Sequence, residues 1–216
     1  MFRRRTSLSL SAAAAVLVAA PLLTACGGEA HAGAAAVVGG ERITMSQVQS
    51  KVEAVRAAQR DHEQADILIK ETGQLTRSTL NGLVLREVLE RAAGDAGVTV
   101  SRGEIQEARE LAARQVGGPE RLESLMLRQQ AATPDEIDEM LRVQLLVQGL
   151  AEKLGANLQT PQGQEELRAE LEKASRELDV SVNPRYGKWD DEQVSLTEAD
   201  RPWIRELTNP EPEQAA

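Results

Sequence analysis

Residues 133–155 read TPDEIDEMLRVQLLVQGLAEKLG, and this stretch decides the fold class. Thr133 supplies an N-cap oxygen, Pro134 sits at the first helical position where its missing N–H is no loss, and Glu136 stands at the third. Ile137, Leu141, Leu145 and Leu150 follow at helical spacing until Gly155 stops the run. Working outward, the same punctuation recurs. Thr160-Pro161 opens a helix with Leu167, Leu171, Ala174 and Leu178 on one face. Upstream, Pro119 restarts a short helix through Leu122, Leu125 and Met126 after the Gly117-Gly118 stop. Ser101 with Glu104 forms a capping box that leads Ile105, Ala108, Ala112 and Val116.

The stretch from Leu75 to Ala93 carries Leu80, Leu83, Val84, Leu85, Val88 and Leu89, apolar on more than one face, which suits the central helix of a bundle. Thr44 with Gln47 makes another capping box, ahead of Met45, Val48, Val52 and Val55. Before it, Val37 to Thr44 gives two short β-prone pieces around Gly39-Gly40, a hairpin signal. After the last helix, Asp179 to Trp189 reads as extended. The expected fold is mainly α, with about six helices and a little sheet. It lacks the alternating βαβ order of nucleotide folds.

Composition narrows function. Among 216 residues there are 25 Lys plus Arg against 34 Asp plus Glu, one Cys and two His. So acidic a surface is a poor match to a phosphate backbone, so nucleic acid is not an expected partner. One cysteine excludes an intrachain disulfide framework and Cys-rich zinc motifs, and two distant histidines leave little for His-based catalysis or metal binding. The lone Phe is Phe2, and Tyr186, Trp189 and Trp203 cluster near the C-terminus, so the helical core is expected to be aliphatic.

Residues 1–26, MFRRRTSLSLSAAAAVLVAAPLLTAC, have a cationic start, an apolar stretch from about Leu8 to Leu23, and small residues before a cysteine. This is the layout of a secretory signal peptide. The apolar run is short and Ala-rich for a spanning helix, which needs roughly 20 apolar residues, and Pro21 breaks its end. Leu23-Thr24-Ala25-Cys26 resembles the bacterial lipobox, which implies cleavage before Cys26 and a diacylglycerol thioether on its sulfur, often with an N-acyl group. Acyl chains contribute about 0.8 kcal/mol per buried methylene, enough together for stable anchoring. No other cofactor is expected. Loss of Arg3, Arg4 and Arg5 with the leader takes the formal charge from −9 to −12. Arg4-Arg5 also invites a twin-arginine reading, against which Ser7 stands where that motif prefers a bulky apolar residue, so the export route stays open. The expected organisation is a signal peptide at 1–25, lipidated Cys26 with a flexible tether to residue 36, a helical domain over 37–190, and a polar, acidic tail over 191–216.

Three stretches together carry a family resemblance: AAVVGGERITMSQV from Ala35, ATPDEIDEMLRVQLLVQ from Ala132, and VSVNPRYGKWD from Val180. With the lipobox cysteine they resemble the SurA N-terminal-like domain of bacterial extracytoplasmic foldases, over roughly residues 35–190, and especially a subgroup of small lipoproteins. The resemblance implies a helical cradle whose first and last segments meet in a small sheet, placing residues 37–43 near 180–187. It implies binding of unfolded or newly exported polypeptides at the extracytoplasmic face of the cell membrane. Many relatives carry a parvulin-type prolyl isomerase domain before the last helix; here only Gly155 to Thr160 stands at that place. Parvulin sites use histidines beside Cys or Asp and an aromatic-lined pocket, and the mature body has only His62 beyond its tether, no Phe, and no thiol beyond Cys26. The expected protein is therefore a non-enzymatic, chaperone-like lipoprotein. The alternative is a dedicated adaptor for one partner or for a separate isomerase.

The candidate contact residues are few. Met126 and Met140 either pack the core or line an adaptable groove, because thioethers repack around varied ligands. Tyr186 and Trp189 either seal the end of the core or offer a rim for clients, and Trp203, beyond the last expected core element, is read as a client or partner contact. The acids Asp190, Asp191, Glu192, Glu198 and Asp200 lack the spacing of a calcium loop and read as a solvated linker. Carboxylate pairs such as Glu104 with Glu107 and Glu165 with Glu166 read as solubilising helix faces rather than acid–base machinery.

Overall fold

A computed structural model describes residues 33–198. The hairpin signal is realised as β1 (Ala34–Val38) and β2 (Glu41–Thr44), joined by Gly39-Gly40 with φ of +58° and +85°. Positive φ at both central positions is what a two-residue type I′ turn demands, and glycine adopts it without a Cβ clash. The strand starts earlier than composition suggests. Ala34, Ala35 and Ala36, expected to be tether, are fully buried. A run of alanines looks like linker because nothing in it is large, yet small side chains let β1 lie close against the central helix.

Six helices follow the sequence signals: α1 (Met45–Arg60), α3 (Leu75–Asp95), α4 (Arg102–Val116), α5 (Pro119–Gln130), α6 (Ile137–Leu154) and α7 (Pro161–Leu178). The capping boxes at Thr44/Gln47 and Ser101/Glu104 are both formed, and Thr160 accepts from the Gly163 N–H at 3.1 Å. Thr133 and Glu136 also cap as expected, but they close a 3-10 turn, Pro134–Glu136, from which α6 continues.

A seventh helix, α2 (Ala65–Glu71), carries no sequence signal: it has seven residues and no side-chain cap. It is held from outside. Arg56 on α1 donates to the Ile69 and Thr72 carbonyls at 3.2 and 2.7 Å, satisfying acceptors that a helix end otherwise leaves free.

Helix α3 is the centre of the body, with Leu80, Val84, Val88 and Ala92 fully buried. It packs against α1, α6, α7 and β1. Beyond α7, β3 (Ser181–Val182) joins the first sheet in the order β2-β1-β3, all antiparallel, pairing Ala36 with Val182 and Val37 with Ser181. The expected meeting of residues 37–43 with 180–187 is thus found, tightened by the Gly39 N–H donating to the Leu178 carbonyl at 2.6 Å. Strands β4 (Lys188–Asp190) and β5 (Ser195–Thr197) form a second hairpin, so ordered structure continues into the stretch read as tail. The acids at its turn are used locally. Asp190 accepts from the Gln193 backbone at 2.9 Å, and Asp191 accepts from Ser175 Oγ at 2.6 Å.

Two apolar clusters result. The main one joins the sheet, α1, α3, α6, α7 and the second hairpin; a smaller one is built on Leu122, Ile137 and Leu141, with Ile105 and Met126 against it. No helix among the described residues is long and apolar enough to cross a membrane.

Candidate functional site

Because the two clusters do not merge, a cleft is left between them. It is a groove of about 500 Å³ bounded by α1, α3, α5 and α6, within the usual range of ligand-binding clefts. Its apolar floor comes from a helix with more than one apolar face: α3 turns Leu80 and Val84 into the main core and leaves Leu75 and Leu83 toward the groove. Across from them stand Ile137 and Leu141 of the smaller cluster. Met126 from α5 and Met140 from α6, both half-buried, line the same groove. The sequence left these methionines between core and groove; the structure brings them together at the cleft.

The rim is ionic. Lys51 on α1 donates to Glu136 Oε1 at 2.8 Å, while Glu136 Oε2 accepts from the Thr133 backbone N–H and hydroxyl, each at 3.1 Å. One carboxylate therefore caps its own turn and ties it to α1. Burial pushes the Glu136 carboxyl up, but the Lys51 hydrogen bond, the Thr133 N–H, the Lys51 charge and the Thr133 hydroxyl outweigh it, so the group titrates below the usual carboxylate range. Opposite, Glu139 Oε1 lies 3.6 Å from Arg86 and 3.9 Å from Arg142 but is buried without a hydrogen-bond partner among the described residues. The two guanidiniums compensate its charge, and an occupant bringing an N–H would supply the hydrogen bond it lacks.

The remaining candidates separate. Trp189 is buried at 6% exposure, and its indole Nε1–H donates to Ser175 Oγ at 2.7 Å. It seals the core and offers no face to a client, which corrects the rim reading. Large aromatic area drives such a ring inward once one buried hydroxyl can accept its N–H. Tyr186 is half-buried against the main cluster, with the Arg185 guanidinium 5.5 Å from its ring centroid, and does not line the groove. Cys26 and Trp203 lie outside the described residues.

Sequence reasoning missed Lys51, Arg86, Glu136 and Glu139 as groove residues. Glu136 did carry a signal, its capping spacing, but that says nothing of a lysine 85 positions away. His62, the one histidine of the described residues, accepts the Gln64 N–H at Nδ1 (3.1 Å) and lies 3.3 Å from Ser124 Oγ at Nε2, away from the groove. Among the described residues no group of three His, Cys, Asp or Glu could hold a metal ion.

A family model described as the SurA-like N-terminal domain matches residues 1–151. The chain belongs to that family. The match takes in the first hairpin, α1 to α5 and all but the end of α6, and so contains the whole groove. It ends short of α7 and the Asn183–Gly187 stretch, which the resemblance had counted among its most specific pieces. No parvulin-type domain is detected with it. No curated protein and no solved structure matches the chain. Membership of the SurA-like N-terminal family points to a chaperone-like role in general.

Proposed function

We propose that this protein is a lipid-anchored, extracytoplasmic chaperone that holds unfolded or newly exported polypeptides in the α1–α3–α5–α6 groove, without prolyl isomerase chemistry. The observation that carries the reading is the groove itself: an apolar floor with two methionines, framed by the Lys51–Glu136 pair and by Glu139 between Arg86 and Arg142. Flexible thioethers accept varied side chains, and a charged rim keeps a loaded complex soluble. The residue inventory supports a binding role over turnover, since His62 is engaged in structural contacts and the only cysteine is Cys26. A dedicated adaptor would use the same groove and differ in the breadth of its partners.

Met140→Glu tests the groove. A charge set among apolar walls should weaken capture of a chemically denatured protein by roughly tenfold or more, read as lost suppression of its aggregation, with the melting temperature nearly unchanged. Full suppression by the variant would remove the groove from the reading. The anchor is tested separately: Cys26→Ala should leave an uncleaved precursor or release the protein from the membrane fraction, whereas a cleaved variant that stays on the membrane would end the lipoprotein reading.

A further inference from the structure

We propose that Gly82 is the position at which the groove takes hold of a client's main chain: an extended polypeptide crosses α3 there, its backbone against the backbone of the helix. The inference rests on the groove being the client site. Glycine inside a helix is disfavoured against alanine because it gives up the most backbone freedom on folding, so a mid-helix glycine calls for a reason. Two of the described helical glycines have one in packing. A Cβ on Gly149 would stand 2.7 Å from Val98 Cγ1, and one on Gly163 would stand 2.2 Å from the Asn157 carbonyl oxygen, so neither position has room for a side chain. Gly94 and Gly103 fall in the last turn of α3 and the first turn of α4, so neither is an interior position. Gly82 has neither explanation. It lies well inside α3, does not use left-handed backbone, and nothing stands within 4 Å of where its Cβ would be. It is exposed and lines the groove. The missing side chain leaves a place where another chain can come into contact with the helix backbone, a recurrent use of glycine.

The rest of the lining fits an extended main chain. Leu75, Thr79, Gly82 and Arg86 recur at helical spacing along one face of α3 and all line the groove; they form a stripe of about 16 Å, which about five residues of extended chain span. The charged residues of the lining balance, Lys51 and Arg86 against Glu136 and Glu139, so the groove selects for neither sign, as suits an uncharged main chain. Gln130 and Gln144 line it too, and their side chains make no hydrogen bond to another described residue. Each carries a carbonyl and an N–H donor, the complement of a peptide group. Contact through the main chain makes the site tolerant of sequence and closes it to folded proteins, whose backbone groups are already paired.

The test compares the full chain in detergent micelles with Gly82→Ala, Gly94→Ala and Met140→Glu, reading the melting temperature and the affinity for reduced, carboxymethylated lysozyme as a permanently unfolded probe. Gly82→Ala should raise the melting temperature by about 2–4 °C, since alanine is the better helix former and its methyl meets nothing, yet weaken the probe about tenfold by holding the client's backbone off the helix. Gly94→Ala, outside the groove, should leave the affinity unchanged. A peptide of alternating leucine and serine, long enough to span the stripe, should bind the parent protein about tenfold more tightly than the same peptide methylated on every second peptide nitrogen, which keeps its side chains and loses backbone donors. If Met140→Glu weakens the probe and Gly82→Ala does not, the main-chain proposal falls while the groove reading stands. If neither does, the groove is not the client site and both fall. A lowered melting temperature in Gly82→Ala would give the glycine a structural reason and overturn the assignment, and equal binding of the two peptides would overturn it as well.

Discussion

The Trp189 indole, Ser175 Oγ and Asp191 carboxylate form a short relay: the N–H donates to the hydroxyl at 2.7 Å and the hydroxyl to the carboxylate at 2.6 Å. It docks the second hairpin on α7, and Ser175 is fully buried. Trp189→Phe keeps most of the ring but leaves the hydroxyl without its donor, so urea unfolding should show a loss of about 1–3 kcal/mol, with client capture unchanged at temperatures where the variant is folded. At the groove rim the decisive residue is Glu136. Its folded-state pKa is depressed, so its stabilisation is fully present above the ordinary carboxylate range and is lost as pH falls through the lower folded value. Glu136→Gln should cost about 1–2 kcal/mol near pH 7, the sum of a weakened cap and a half-exposed ion pair. The gap between variant and parent should close below about pH 4, in stability curves measured at several pH values. A constant gap would show that the charge of Glu136 is not what braces the turn. Such pairings are invisible in sequence because they join residues far apart: Lys51 and Glu136 each look like surface charges in their own helices.

At the scale of elements, the legible parts were those whose signals are local. Caps at Thr44, Ser101, Thr133 and Thr160 and stops at Gly117 and Gly155 lie within one turn of the ends they mark, and all are realised. Helix α2 was not legible because its support, Arg56 and Gln59, is supplied by α1. Composition marks β1 three residues short because burial of Ala34–Ala36 is set by α3 and β3, not by their own small side chains. Of the β4–β5 hairpin only the first strand is legible in the sequence, since the second is anchored by Asn81 and Arg77 on α3. That hairpin depends on Gly187, whose φ is +139° and whose Cβ would meet the Thr197 carbonyl oxygen at 2.2 Å. Gly187→Ala should separate the two strands and lower stability by about 2–4 kcal/mol, seen as early amide exchange at Leu196 and Thr197. Retained protection there would mean that the hairpin is set elsewhere.

For the whole molecule, fold class and family were accessible from sequence because caps, stops and bundle periodicity recur along the chain, and the opening hairpin motif and the stretch from Ala132 to Gln148 fall within the family match. The groove was accessible only in outline. Met126 and Met140 were in view as candidates, but a cleft exists only where two apolar clusters fail to merge, and that depends on how α5 and α6 sit against α1 and α3. The central claim is that this cleft, rather than exposed apolar surface in general, holds unfolded exported chains. The most direct measurement is photo-crosslinking in intact cells from a probe at Met140, compared with one at Leu111, which is apolar and 51% exposed on α4 away from the groove. The account predicts adducts with many unrelated exported proteins from position 140 and few from position 111. Equal labelling from both positions, or a single dominant partner at 140, would contradict it.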